Sequence, residues 1–443
     1  MAITIATGDP TKDFFVFMIT KDISLADCIF DLIDNSIDGA KKAIAKSAKK
    51  PNPETPFLGF SVKITASADV FQIQDNCSGI EIDEAKQHAF RFGRRADAKP
   101  DASFGIGLYG IGMKRAVFKI GREIVIESSN GTRSFKVPID VQKWLDVKDK
   151  WDFTLDIGGA RPSGTSITIK KINPPVSKEL SDPVFLNRLR TIAARDYSII
   201  LQKGFEIVVN GEAVQPFVFR LLEGGEFKPL FRTYQDEEQV IVSIYAGLAS
   251  LPSDDDEPPE KRRPGDEYYG WFVVCNDRVV LAADKTVRTI WGDEDFQVWH
   301  QQYNGFMGIV KFESDDPKRL PWTTTKRDVE ISSPVYRRAV AAMKDATVEF
   351  IRYTNARKAN LEEAKQREDT PKPVELNRIV PSETLITPRF RDDRPRIRMS
   401  GISYQQPTAI VEKVKRVLGD SLMTNKKAGI ETFKYYVRQE VEE

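Results

Sequence analysis

The stretch CIFDLIDNSIDGA, residues 28–40, reads as the middle of a long amphipathic helix that carries three polar groups in one line. Asp31, Asn35 and Asp38 stand at i, i+4 and i+7, a spacing that sets them on one helical face. Leu25, Ile29, Leu32 and Ile37 supply the apolar face and Ser24 is placed as N-cap, so a helix is expected over residues 22–47. An amide oxygen on such a face can ligate Mg²⁺, and a carboxylate one turn earlier can orient and deprotonate a water. The same pattern also suits a plain polar face turned to solvent.

Outward from this helix the text changes period. FLGFSVKI, VFQIQ, REIVIESS, TRSFKVPI, FTLDI and TSITIKK are short, alternating and separated by turn residues, which predicts a largely antiparallel sheet. The second run ends at Asp75 within IQDNCSGI (73–80). A carboxylate there can accept the exocyclic amine of adenine while Gly79 lets a base approach the backbone; a simple hairpin turn is the competing reading. Between the second and third runs lies SFGIGLYGIGMKRA (103–116), opening a helix. Gly105-x-Gly107-x-x-Gly110 has the form of the dinucleotide fingerprint but lacks the strand before it and the acidic residue about 20 positions on. Gly107-x-x-x-x-Gly112 is followed by Met113 and Lys114, so the P-loop signature also fails. Glycines before a helix nonetheless free backbone N–H groups to surround phosphate at the positive helix end.

Composition limits the chemistry. The 443 residues, 30% charged and 41% hydrophobic, suffice for two or three domains, and a net charge of +1 argues neither for nor against a nucleic-acid partner. Cys28, Cys77 and Cys275 form no CxxC pair, and His88 and His300 are the only histidines. Structural zinc, a disulfide framework and histidine-based hydrolysis are therefore disfavoured. No apolar run reaches membrane-spanning length and MAITIATGDP has no secretory pattern, so a cytoplasmic protein without a membrane partner is expected.

In order and spacing, DLIDNSIDGA, DNCSGI, FGIGLYGIGMKRA and SGTSITIKK (163–171) resemble the gyrase, heat-shock chaperone, histidine kinase and MutL (GHKL) superfamily of ATPases, over about residues 15–175. The resemblance implies an α+β protein built on the Bergerat fold, a sandwich whose mixed, largely antiparallel sheet carries helices on one face. It implies ATP and Mg²⁺ as ligands, with Asp31 as the base, Asn35 on the metal and Asp38 in the same site. Asp75 would read adenine, Gly79 would floor the base pocket beside Ile80, and Thr165 would support Asp75 through a water. Gly105, Gly107, Gly110 and Gly112 would cover the phosphates, with Tyr109, Ile111 and Met113 between them. Two departures stand out: aspartate replaces the usual glutamate base at position 31, and Cys77 replaces the first glycine of D-x-G-x-G. The shorter base implies slow turnover, and the cysteine a differently shaped turn.

No histidine precedes His88, which disfavours the histidine kinase branch. The other branches follow the ATP domain with an α/β transducer whose lysine reaches the γ-phosphate, and Lys326 in LPWTTTKRDVE (320–330) suits that role. The lid text looks most like that of MORC-type ATPases, which would bring Lys114 near phosphate. The resemblance thus implies ATP-driven dimerisation as a clamp or switch in DNA transactions or genome defence. The alternatives are a nucleotide switch with negligible turnover and a chaperone-like ATPase with protein clients.

The expected domains are 1–178 for ATP binding, 179–350 for the transducer, 351–406 for an exit helix and linker, and 407–443 for a helical tail. GFEIVVNGEAV (204–214) is expected as a hairpin of the second unit, and LPSDDDEPPEKRRPGDE (251–267) as an exposed loop. From residue 351 onward 19 Lys and Arg face 14 Asp and Glu, a net +5, with five arginines between Arg389 and Arg398. That cluster is a DNA hint, and a solvated tail is its plain alternative.

Overall fold

The computed structural model describes residues 10–92, 111–147, 150–252, 266–293, 296–323, 325–368, 370–390, 401–421 and 423–441. The acidic loop, the arginines beyond Arg389, and Gly105, Gly107, Tyr109 and Gly110 lie outside the described residues. The chain divides into two units, Met1–Phe390 and Arg391–Glu443.

The first half of the larger unit runs α1 (Lys12–Lys21), α2 (Leu25–Lys46), β1 (Ser61–Ala66), β2 (Val70–Asp75) and a short α3 (Ile82–Glu84) that continues as a π-turn. It goes on through α4 (Gly112–Ile120), β3 (Gly121–Ser129), β4 (Ser134–Asp140), α5 (Val141–Asp146), β5 (Asp156–Gly158) and β6 (Gly164–Ile172). It closes with α6 (Pro174–Leu180), α7 (Pro183–Asp196), α8 (Ser198–Gln202), β7 (Glu206–Val209) and β8 (Glu212–Ala213). Ser24 caps α2, its hydroxyl accepting the Asp27 N–H at 3.1 Å.

These strands form one sheet in the order β5-β4-β3-β6-β2-β1-β7-β8, antiparallel except where β7 joins β1. Cross-strand register lines up Val209, Ile64, Ile73, Ile167, Ile126 and Val137 in a single row across six strands. All six are buried, each contributing about 1.5–3 kcal/mol. They belong to the core that also holds the apolar residues of α2 and α4, while intervening strand residues such as Lys63 and Thr65 are exposed.

The hairpin at Asn210–Gly211 forms as its turn chemistry predicts, with both residues at positive φ, but it completes this first sheet. The cause is the crossover. Tyr197, after α7, hydrogen-bonds the Phe30 carbonyl of α2 at 3.0 Å, so the next strand lands parallel beside β1.

The second half contributes β9 (Arg220–Glu223), β10 (Leu230–Gln235), β11 (Ile241–Leu248), β12 (Gly270–Cys275), β13 (Arg278–Asp284) and β14 (Phe306–Glu313). Then come α9 (Pro334–Ala359), α10 (Leu361–Arg367) and β15 (Lys372–Glu375). The second sheet has the order β10-β11-β14-β12-β13. β12 is buried on both faces: Trp271, Val273 and Cys275 enter the main core, whereas Phe272 and Val274 meet Phe219, Leu221 and Ile379.

The segment from residue 348, expected to leave the domain, is the later part of α9. Met343, Ala346, Phe350 and Tyr353 are buried there, and Phe350 lies 5.0 Å from the Phe306 ring. Residues 370–390, expected as a linker, pair with the unit instead: β15 with β9, Ser382 with Phe231 and Ile386 with Lys228. In the smaller unit α11 (Thr408–Val417) and α12 (Asn425–Glu440) are helical, Thr424 capping the latter. Among the described residues no helix is long and apolar enough to cross a membrane.

Candidate active site

Helix α2 is buried on nearly every side from Leu25 to Ile37, and its acidic residues Asp31 and Asp34 are consequently inside the protein. Asp31 is 5% exposed, so the solvent-face reading does not hold for it, although Asn35 on the same face is exposed. Both Arg115 nitrogens Nε and Nη2 donate to its Oδ2, at 2.7 and 2.5 Å. Its Oδ1 lies 3.7 Å from Lys326 Nζ. One turn of α4 makes this approach possible: a Cβ on Gly112 would fall 3.1 Å from the Asp31 Cγ.

Asp34, three residues on, is completely buried and surrounded by donors and charge. Tyr197 donates its hydroxyl at 2.8 Å, Lys326 donates at 2.8 Å, and Arg278 pairs at 3.0 Å. The Arg278 guanidinium lies 4.6 Å from the centre of the Tyr197 ring. Arg278 arrives here because Asn276 and Asp277, both at positive φ, make the tight turn between β12 and β13.

Lys326 comes from a hairpin closed by the Trp322–Val329 bridge and by Thr323 N–H to the Asp328 carbonyl at 3.0 Å. Its φ of +55° is the left-handed conformation that non-glycine residues seldom adopt, at a cost of about 1–3 kcal/mol. Arg327 offsets that strain: it bonds Asp27 at 2.5 Å, pairs with Asp196, and lies 4.3 Å from the centre of the Phe30 ring. Asp27, Asp31, Asp34 and Asp196 thus meet Arg115, Arg278, Lys326 and Arg327, four charges of each sign.

The electrostatics of the two central acids differ. Burial pushes the Asp31 carboxyl above the usual carboxylate range, against the pull of Lys326 and Arg115. Burial acts on Asp34 in the same direction, but Arg278 and Lys326 together with the donated hydrogen bonds outweigh it and hold that carboxyl below its ordinary value. Asp34 is therefore the more acidic of the two carboxyls, and Asp31 is the more basic group.

A second cluster hangs from the same helix. Ser36 donates to Asp75 Oδ2 at 3.0 Å, while Asp75 Oδ1 accepts the N–H of Cys77 at 2.9 Å and of Thr165 at 3.2 Å. Burial raises the Asp75 carboxyl despite these hydrogen bonds. Thr165 contacts Asp75 through its backbone N–H, and its hydroxyl pairs with Ser128 at 2.8 Å. Ser128 also accepts the Ile80 N–H at 2.9 Å. Gly79 has φ +66°, and a Cβ there would sit 1.9 Å from the Ser129 carbonyl oxygen. Cys77 is buried with its Cβ against Gly39, so the departure from glycine is taken up by a second glycine on α2.

Asn35 is exposed between the two clusters, and Asp38 follows half-buried. Ile111, Gly112 and Met113 are half-buried at the start of α4. Lys114 turns elsewhere: its ammonium donates to the Ala89 carbonyl at 2.7 Å, and burial brings its pKa down to about 8. Asp34, Arg115, Tyr197, Arg278 and Arg327 escape a reading of motifs alone. The available signal was an acid on the apolar side of α2, between Ile33 and Ile37, and an arginine inside the apolar run VVCNDRVV (273–280). A buried charge of one sign requires the other.

Residues 23–156 match the family model described as histidine kinase-, DNA gyrase B- and HSP90-like ATPase. The match supports the GHKL type of ATPase domain for this part of the chain, and with it ATP binding and, at the general level, hydrolysis. No curated protein matches the sequence.

Proposed function

We propose that this protein binds Mg-ATP on α2 and β2 and hydrolyses it slowly, with Asp31 as the base and Lys326 coupling the second sheet to the nucleotide. The observation that carries this reading is Lys326 itself. A residue of the hairpin that follows β14 of the second sheet ends within reach of both buried acids of the helix that holds the first motif, 2.8 Å from Asp34 and 3.7 Å from Asp31. A mobile point charge so placed exchanges its carboxylate partners for a terminal phosphate when nucleotide state changes.

The donor set suits the ligands. Asp75 is a half-buried carboxylate at a strand end, followed by a turn whose Gly79 admits close approach, which fits an adenine amine. The exposed amide of Asn35 fits Mg²⁺, which takes one or two protein oxygens and otherwise water and phosphate. Bound there, the metal would neutralise charge on the phosphate oxygens. Among the described residues no cluster of three His, Cys, Asp or Glu side chains forms a metal cage, in keeping with a metal shared with its nucleotide.

The second reading, a nucleotide switch with negligible turnover, is favoured by the aspartate at position 31, one methylene shorter than the glutamate usual in such ATPases. In both readings the second sheet works as transducer, and ATP-driven pairing of two chains in the MORC or MutL manner, on DNA, is the downstream action. ADP production from Mg-ATP by wild type and D31N, with and without duplex DNA at low salt, tests the series. Turnover lost in D31N supports the ATPase, stimulation by DNA supports the clamp, and ATP binding without turnover in either protein selects the switch.

A further inference from the structure

We propose that Arg115 is the positioning residue of the base: its guanidinium fixes Asp31 so that Oδ1 alone is presented to the reacting water. The inference rests on the hydrolysis reading above and adds to it Arg115, a residue of the segment FGIGLYGIGMKRA to which the resemblance gives no role.

The geometry divides the carboxylate. Two Arg115 N–H groups converge on Oδ2, leaving Oδ1 toward Lys326. The Asp31 and Arg115 side chains are only 7% and 14% exposed, so water does not compete well for either. Arg115 is itself held, since its backbone N–H makes the first helical bond of α4, to the Ile111 carbonyl at 3.0 Å. Asp31 sits under the same turn, in contact distance of Gly112.

An aspartate has one free torsion between Cβ and its carboxylate, and rotation about it exchanges the two oxygens. Clamping Oδ2 removes that freedom, which matters more for a base one methylene short of the usual glutamate. In the step itself Oδ1 accepts a proton from the attacking water as its oxygen bonds to the terminal phosphorus. The bond from that phosphorus to the bridging oxygen breaks, and its electron pair leaves with ADP.

Asp31 faces Arg115 from α4, Lys326 from the 322–329 hairpin, Arg278 from β13, and Asp34 and Cys28 on its own helix. Removing Arg115 removes one stabilising cation, so the pH below which turnover fails moves upward.

The test uses the full chain with R115Q and R115K, measuring ATP affinity, kcat from pH 5 to 9 and thermal unfolding. Expected for R115Q is ATP affinity within about twofold of wild type, kcat lower by about tenfold or more, and an acid limb higher by about one pH unit. R115K keeps the charge without the fork: its acid limb stays in place while kcat still falls. Should R115Q fail to fold, R115K decides by the same criterion. Wild-type kcat and acid limb in both variants overturn the proposal and leave the ATPase reading standing. Weakened ATP affinity with unchanged kcat also overturns it, making Arg115 a phosphate ligand. A wild type without turnover overturns both.

Discussion

Lys326 donates to Asp34 across 292 residues of chain, and the pair is buried on both sides. It joins the two sheets at the helix that carries the candidate base. A buried ion pair adds little net stability, but breaking one side leaves an uncompensated charge at a cost of about 3–5 kcal/mol. K326M is therefore expected to unfold at clearly lower urea concentration and to lose turnover. A double-mutant cycle with D34N measures the link, and a coupling of about 1–3 kcal/mol is expected. Additive effects would mean that the two side chains do not act together.

Replacing Asp31 by asparagine keeps the shape and removes the base. D31N should retain ATP-dependent thermal stabilisation while ADP production falls by about 10²–10⁴-fold. Equal turnover in wild type and variant would dismiss Asp31 from the chemistry.

Asn35 is exposed, so N35A should leave the unliganded protein as stable as wild type. Its effect belongs to the bound state. At 100 times the Kd a ligand adds about 2.7 kcal/mol to a protein that binds it, and that gain should vanish in N35A. An undiminished Mg-ATP shift in Tm counts against Asn35 as metal holder.

Two glycines at positive φ provide an internal comparison. A methyl on Gly79 meets the Ser129 carbonyl at 1.9 Å, whereas one on Gly211 meets nothing within 4 Å. G211A should cost about 1 kcal/mol from backbone strain alone, and G79A several times that together with ATP binding. Similar losses of Tm in both would show that the turn at Gly79 gives way.

The sign of the pH dependence follows from Asp34. Its folded-state pKa lies below the unfolded value, so its stabilising effect is complete above about pH 4 and is lost as pH falls through the depressed value. Asp31 has the opposite sign, its raised carboxyl relieving burial when protonated. Urea unfolding of wild type and D34N between pH 7 and 3 isolates the first effect. The stability difference between them should narrow on acidification, and a constant gap would contradict the assignment.

Local chemistry was the legible part of the sequence. Ser24 as a cap, Asn210–Gly211 as a turn and Asp75 at a strand end all follow from neighbours within a few residues. What escaped depends on distance along the chain. The parallel place of β7 is set by a crossover, and the partners of Asp34 come from β13 and the hairpin tip, far beyond any periodic pattern. Lys114 and Arg115 are neighbours in one helix, yet one serves Ala89 and the other Asp31. Only the packing of α4 on α2 decides which faces the acid.

The joint between the sheets also orders events during synthesis. Asp31 and Asp34 precede the first sheet in the chain, whereas Arg278, Lys326 and Arg327 emerge from the ribosome only after the whole first sheet is available to form. Until then α2 must keep two carboxylates on a face destined for burial, and such long-range pairings are slow to form. Within that first half Arg115 already pairs with Asp31, whereas Asp34 has only the Tyr197 hydroxyl and waits for its cations. The ion-paired set around Asp34 is consequently completed last, when the hairpin at 322–329 brings Lys326 to it.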